Sequence, residues 1–257
     1  MPLRIAFDLD GVLADMEGEL TRHAELLFGD AMTRRVLEGG SHAQDASAEV
    51  SPAEKQVDND TVPPTVTLKI TRRQQRRLWR HVGTIENFWE TLDELEPGAT
   101  ARLAAIVIER RWEIIFLTKR PESAGATAQM QTQRWLESKG FTLPSVYVVQ
   151  GSRGHIAAAL GLDVVIDDRP ENCLDVILDS NARAILVWRS DETQLPAATK
   201  RLGIGVVASI DECLDILRQV DSTPAGKPSA MNRVMQPLGL KEPATPTIHG
   251  NGKGRGQ

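Results

Sequence analysis

The sequence predicts an α/β fold built on a parallel sheet, and three observations predict it. Short apolar runs of three to five residues alternate with segments of helical periodicity, the pattern of a parallel sheet covered on both faces. Several of these runs end in Asp, Thr, Lys, Arg or Ser, at the position where open α/β sheets bind ligands. With 257 residues and 41% hydrophobic content, the chain can build a real core in one or two domains. A Rossmann-like arrangement, with helices on both faces of the sheet, satisfies all three.

Each element has its own justification. Residues 3–7 are an apolar run ending at Asp8, a buried strand. Residues 14–28 read as a helix, with Leu20, Ala24 and Leu27 on one face. Two short helices are expected at 72–82 and 85–92. Pro97 precedes a helix at 99–111, where Leu103, Ile106, Val107 and Arg110 keep helical spacing. Next come a strand at 113–117, a helix at 124–138 closed by Gly140, and a strand at 146–149. A helix at 155–160, a strand at 163–166, a helix at 171–178 and a strand at 184–188 continue the alternation. A strand at 205–207 and a helix at 210–220 complete it.

Two stretches lack apolar periodicity. Residues 39–66 carry five acids (Asp45, Glu49, Glu54, Asp58, Asp60) against Lys55, and from about residue 221 the chain is rich in Pro, Gly and Ser with five bases against two acids. Neither buries enough apolar surface to offset the entropy of ordering it, so the first is expected to be a flexible insert and 221–257 a disordered tail.

Composition excludes several classes. The longest aliphatic run, residues 103–108, is far short of the roughly 20 residues of a membrane helix, so no membrane partner is expected. Residues 1–5 carry no charged leader before a long apolar stretch, and no secretory signal is expected. Cys173 and Cys213 stand forty residues apart, in no metal-ligand spacing, which favours a reducing cytoplasm over a disulfide scaffold or a zinc site. A net charge of −5 makes a nucleic-acid coat an unexpected role.

The chemistry lies at the carboxyl ends of the strands. Asp8-Leu9-Asp10-Gly11 comes after the first, Thr118-Lys119-Arg120-Pro121 after the second, Gly151-Ser152-Arg153-Gly154-His155 after the third and Asp167-Asp168-Arg169-Pro170 after the fourth. Asp and Gly after a strand are ordinary turn residues when met singly; their recurrence on successive strand ends is the signal. Crowded carboxylates repel one another unless a cation joins them, and oxygen-only ligands favour a hard ion such as Mg²⁺, commonly shared with a substrate phosphate. A calcium loop at Asp8 lacks the third acid and the later Glu. Gln150 rules out a nucleophile elbow around Ser152, and no phosphate-cradling P-loop is present.

These residues resemble the haloacid dehalogenase (HAD) superfamily, mostly Mg²⁺-dependent phosphatases. Asp8-Leu9-Asp10-Gly11-Val12-Leu13, Phe116-Leu117-Thr118 and Ile166-Asp167-Asp168 match its first, second and fourth motifs. Residues 8–17, 87–99, 116–121 and 166–169, with Arg134-Trp135, are similar to the 5′(3′)-deoxyribonucleotidase family across most of residues 3–190. The resemblance implies a HAD core at 1–15 and 97–220 and a small helical cap at 16–96 that carries the acidic insert. It implies a two-step phosphoryl transfer in which Asp8 is the nucleophile and Asp10 the general acid and base. Mg²⁺ would be held by Asp8, the Asp10 carbonyl and the Asp167-Asp168 pair, with Asp168 the direct ligand and Asp167 supporting it. Thr118 would hold a phosphoryl oxygen. The implied substrate is a small phosphomonoester, with nucleoside monophosphates the first candidates.

The sequence departs from the pattern at the third motif, where the family has a lysine upstream of the Asp-Asp pair. Arg153 and His155 are the nearest bases. Arg153 is preferred because it pairs two phosphate oxygens at any pH, whereas His155 would first need a proton; Lys119 could assist. In the cap, Met16 stands where the family has a base-contacting aromatic, while Phe88 and Trp89 match the other aromatic positions. Stacking on a base, worth roughly 1–3 kcal/mol, competes for these two with simple core packing. Helix 72–82 carries Arg72, Arg73, Arg76, Arg77 and Arg80 with no acid, and a solvated face, anion capture and a nucleic-acid contact all fit it. Two other functions stay open: a catalytically weak or silent HAD-like binding module, and a nucleic-acid end-processing phosphatase. The sequence sets no oligomeric state.

Overall fold

The computed structural model describes residues 2–29 and 70–221. The acidic insert expected at 39–66 lies outside the described residues, as does the expected tail, except for Asp221. Six parallel strands form one sheet: β1 (Arg4–Asp8), β2 (Glu113–Thr118), β3 (Ser145–Val148), β4 (Val164–Asp167), β5 (Arg183–Val187) and β6 (Gly205–Val207). Their order is β3-β2-β1-β4-β5-β6, so the chain reverses its direction of travel across the sheet between β1 and β4. In such sheets the crevice at the carboxyl ends of those two strands is where ligands bind. The α/β class and the doubly covered parallel sheet are as expected.

Alternation along the strands divides the core in two. Ile5, Phe7, Ile114, Phe116, Val164, Ile166, Ile185 and Val187 face one side, and Ala6, Ile115, Leu117, Val165, Ala184 and Leu186 the other. Against the first side pack α1 (Met16–Phe28), α2 (Arg72–Val82), α3 (Ala99–Arg110), α4 (Ala128–Ser138) and α8 (Ile210–Asp221). Against the second pack α5 (Arg153–Leu160) and α6 (Pro170–Asp179). These last two approach closely because Gly154 has no side chain: a Cβ there would lie 2.1 Å from the Asp175 carbonyl oxygen. A short helix α7 (Ala197–Arg201) and a 3-10 turn at Glu192–Gln194, neither expected from the sequence, precede β6. Cys173 and Cys213 are free and sit in opposite halves of the core.

The described part of segment 16–96 shares the core of the sheet. Leu20, Leu78, Trp79, Phe88 and Trp89 belong to the same apolar cluster as Phe7, Leu103 and Phe116. The second short helix expected there, at 85–92, is only a 3-10 turn at Phe88–Glu90. Asn87 has φ 53°, a left-handed conformation that interrupts the helical path, and its Oδ1 accepts a hydrogen bond from the Ala126 amide at 2.9 Å. α4 begins at Ala128 instead of 124, because Thr127 caps it by accepting from the Met130 amide. α5 begins at Arg153 instead of His155, since Ser152 caps it through the Gly154 amide. That two-residue shift places Arg153 in the first helical turn, pointing back over the sheet edge. Among the described residues no helix is long and apolar enough to cross a membrane.

Candidate active site

Asp8 is the last residue of β1 and Asp167 the last of β4, so adjacent strands deliver two carboxylates to one crevice. Leu9 then closes a tight turn, its carbonyl accepting from the amides of Val12, Leu13 and Ala14 at 2.8–3.3 Å. Gly11, at φ +85°, lies against Asp168: a Cβ there would be 2.0 Å from Asp168 Oδ2. Only glycine lets the Asp10 turn and the β4 end approach this closely.

One guanidinium joins the buried carboxylates. Arg153, 1% exposed, donates from Nη2 to Asp8 Oδ1 at 2.5 Å. Its Nε stands 3.6 Å from Asp167 Oδ2, an ion pair too long for a hydrogen bond, and Nε and Nη1 are both buried without a hydrogen-bond partner. Asp167 is fully buried and oriented by Asn172 Nδ2, which donates to both its oxygens at 3.0 Å, and by the Arg169 amide at 2.9 Å. Asp168 Oδ1 is buried with no partner.

Two carboxylates, Asp8 and Asp167, thus face one guanidinium, with the Asp168 carboxylate beside them and unpaired at Oδ1. Burial first, then the Asp167 charge, pushes the Asp8 carboxyl well above the ordinary range, with Arg153 opposing. Burial also raises Asp167, against the pull of Arg153. Asp168 is pushed up to about 7, chiefly by burial and next by Asp167. Excess buried negative charge of this kind is relieved by a cation. The donor set is oxygen only, which fits a hard divalent ion such as Mg²⁺. Among the described residues no three Asp, Glu, His or Cys side chains form a ready-made cage. Mg²⁺ ordinarily takes one or two carboxylates and fills its octahedron with water and substrate oxygens, so two carboxylates and a carbonyl suffice.

Asp10 is held differently. Arg120 Nε donates to both Asp10 oxygens at 3.0 Å and Nη2 to Oδ1 at 2.7 Å, while the Thr118 hydroxyl donates to Oδ2 at 3.2 Å. Arg120 is 1% exposed, donates from Nη1 to the Thr132 hydroxyl at 2.9 Å, and lies 4.9 and 6.0 Å from the rings of Trp89 and Trp135. A guanidinium between two indoles is well placed for cation–π attraction. Sequence reasoning chooses Lys119 from this segment and passes over Arg120. The available signal is the strand period: continued past Thr118, it puts residue 120 on the same side as the hydroxyl.

A cavity of about 460 Å³ opens over this cluster, lined among others by Asp8, Asp10, Met16, Lys119, Arg153 and Asp168. Of the expected site residues, Thr118 joins the cluster through Asp10, and Asp167 supports it from beneath. Three do not join. The His155 side chain is 77% exposed, with Asp179 3.8 Å away, because position 155 of α5 faces outward when Arg153 faces in. Phe88 and Trp89 are 0% exposed. Phe88 packs edge-on against Trp89 and beside His23, and the Trp89 indole donates to the Pro121 carbonyl at 2.9 Å. Neither lines the cavity, and of the two roles the sequence leaves open for them the buried rings fit core packing.

No protein-family model and no curated protein sequence matches the chain. Solved structures do. A protein of Thermotoga maritima described as a candidate β-phosphoglucomutase is 19% identical, with a TM-score of 0.49, over 85% of this chain and 99% of that one. A HAD-family hydrolase of Deinococcus radiodurans R1, solved with bound phosphate and sodium, is 19% identical at a TM-score of 0.49, over 87% and 99%. A hydrolase of Pseudomonas syringae is 18% identical at a TM-score of 0.46, over 87% and 100%.

Proposed function

We infer that the chain is a divalent-metal-dependent phosphatase of small phosphomonoesters, with nucleoside monophosphates the first substrates to test. One observation carries the reading: a buried Asp8–Arg153–Asp167 cluster, with two guanidinium nitrogens that lack a hydrogen bond and the bare Asp168 Oδ1, opens into a cavity. The nitrogens suit an anion and the oxygen a cation, which is the pair that a phosphate and its metal supply.

Asp8 is the nucleophile of this reading, attacking phosphorus to form an aspartyl-phosphate. Its oxygen contacts Arg153, which fixes the carboxylate and offers its Nη1 to the transferring phosphoryl oxygens. Asp10, held by Arg120 and Thr118, is the group that exchanges protons with the leaving alcohol and then with the hydrolytic water. Asp8, the Asp10 carbonyl and Asp168 would hold Mg²⁺, with Asp167 orienting the β4 end; when bound, the ion would neutralise charge on the phosphoryl group. Met16, at the start of the expected cap segment, stands on the cavity wall, and Lys119 is a further base near the phosphate. The two free, buried thiols are in keeping with the reducing cytoplasm as its compartment.

Purified protein should hydrolyse a generic aryl phosphate in Mg²⁺ and stop when EDTA is added. No turnover of aryl phosphates, nucleotides or sugar phosphates would favour a silent binding module instead.

A further inference from the structure

The turn carrying Asp10 is gripped from outside the cluster. The chain leaves the sheet through residues 9–15 and returns through 93–96, and these two passages pair as a short antiparallel ribbon. Ala14 bridges Glu94, the Asp15 amide donates to the Asp93 carbonyl, and the Leu95 amide donates to the Leu13 carbonyl, both at 2.9 Å. Against this ribbon lies Arg189, two residues beyond β5. Its Nη1 donates to the Gly11 carbonyl at 2.6 Å, and its Nη2 to the Val12 carbonyl at 3.2 Å and to Glu96 Oε1 at 2.5 Å. Glu96 in turn accepts from the Ile210 and Asp211 amides at the start of α8, at 2.9–3.1 Å. A carboxylate on a helix N-terminus is a stable anchor. β5, α8 and the ribbon thereby converge on the two carbonyls just past Asp10.

We propose that Arg189, anchored by Glu96, is a positioning residue that holds the Asp10–Gly11–Val12 turn in register with Asp8 and Asp168. The role rests on the phosphatase reading for its catalytic consequence. Its geometry suits a guanidinium, whose planar fork reaches two carbonyls and a carboxylate at once; an ammonium cannot hold that arrangement. Gly11 has no slack against Asp168, so a rotated Gly11 carbonyl moves the Asp10 backbone relative to the β4 carboxylates. Displacements near 1 Å at a reacting centre cost about a hundredfold in rate.

Arg189 also lines the cavity, whereas Glu96 does not, and that difference makes the test selective. Arg189→Gln, Arg189→Lys, Glu96→Gln and the Arg189→Gln/Glu96→Gln double variant are compared by steady-state kinetics and by amide hydrogen exchange of the full chain. A positioning role predicts that Arg189→Gln lowers kcat by about tenfold to a hundredfold with KM little changed. Glu96→Gln lowers kcat in the same direction, the double variant is no worse than Arg189→Gln alone, and Arg189→Lys fails to rescue. Exchange at residues 9–14 accelerates in Arg189→Gln and in Glu96→Gln while the β4 and β5 amides stay as in the wild type. A rise in KM with kcat unchanged overturns the proposal in favour of direct substrate contact, and additive effects or unaltered exchange at 9–14 overturn it outright. Wild-type protein without turnover, but with the predicted exchange changes, sinks the phosphatase reading and leaves the brace standing.

Discussion

Arg120 shows how one side chain can serve two neighbours. It satisfies both oxygens of Asp10 and fills the space between Trp89 and Trp135, so its removal strands a poorly exposed carboxylate. Arg120→Met should therefore cost about 3–5 kcal/mol in chemical denaturation, the usual penalty for breaking a buried pair from one side. Adding Asp10→Asn should return part of that loss; strictly additive losses would show that the two residues are not coupled. At this scale the carboxylates are legible in the sequence, because Asp8, Asp10, Asp167 and Asp168 come at the ends of strands that hydrophobic runs mark plainly. Arg120 is not, since an arginine after a strand reads as a solvated turn residue until the indoles that enclose it are placed.

The 3-10 turn at Phe88–Glu90 explains why aromatic positions that match by sequence do not reach the cavity. Its Trp89 amide is turned inward, donating to Gln131 Oε1 at 3.0 Å, and the ring closes over Arg120. Trp89→Phe keeps an aromatic ring but loses the indole donor to Pro121. It should lower stability by about 1–3 kcal/mol, while leaving the ratio of kcat/KM between a nucleoside monophosphate and a simple aryl phosphate within about twofold. A collapse of that ratio would restore Trp89 to a base-contacting role. Apolar periodicity locates the strands and the long helices to within a few residues. It fails at 85–92, where the left-handed Asn87 and its contact with Ala126 override a local pattern that looks helical. α7 escapes because five residues are too few for a periodic signal.

Across the whole molecule, the described core is one sheet with its carboxylates collected at a single reversal of strand order, and this has a consequence for pH. A carboxyl whose folded pKa is raised contributes stability at low pH, lost as pH rises from the unfolded carboxylate range, near 4, through the folded value. For Asp168 that window ends at about 7, with Asp8 and Asp167 shifted in the same direction. Without divalent metal, thermal stability should fall between about pH 4 and 7, by on the order of a few kcal/mol. A hard cation binds the ionised carboxylates, so added Mg²⁺ should stabilise the protein more at pH 7.5 than at pH 5. A Mg²⁺ effect on melting that is equal at both values would mean the cluster is not where the ion binds.

In the proposed reaction a phosphoryl group passes through the Asp8 carboxylate. The most direct measurement is borohydride trapping during turnover of an aryl phosphate in Mg²⁺, with peptide mass spectrometry of the product. An aspartyl-phosphate is reduced to homoserine, and that residue is expected at position 8 alone, in wild-type protein with substrate and never in Asp8→Asn, which should also lose turnover by about a thousandfold or more. Sustained turnover with no modification at position 8, or full activity in Asp8→Asn, would contradict it.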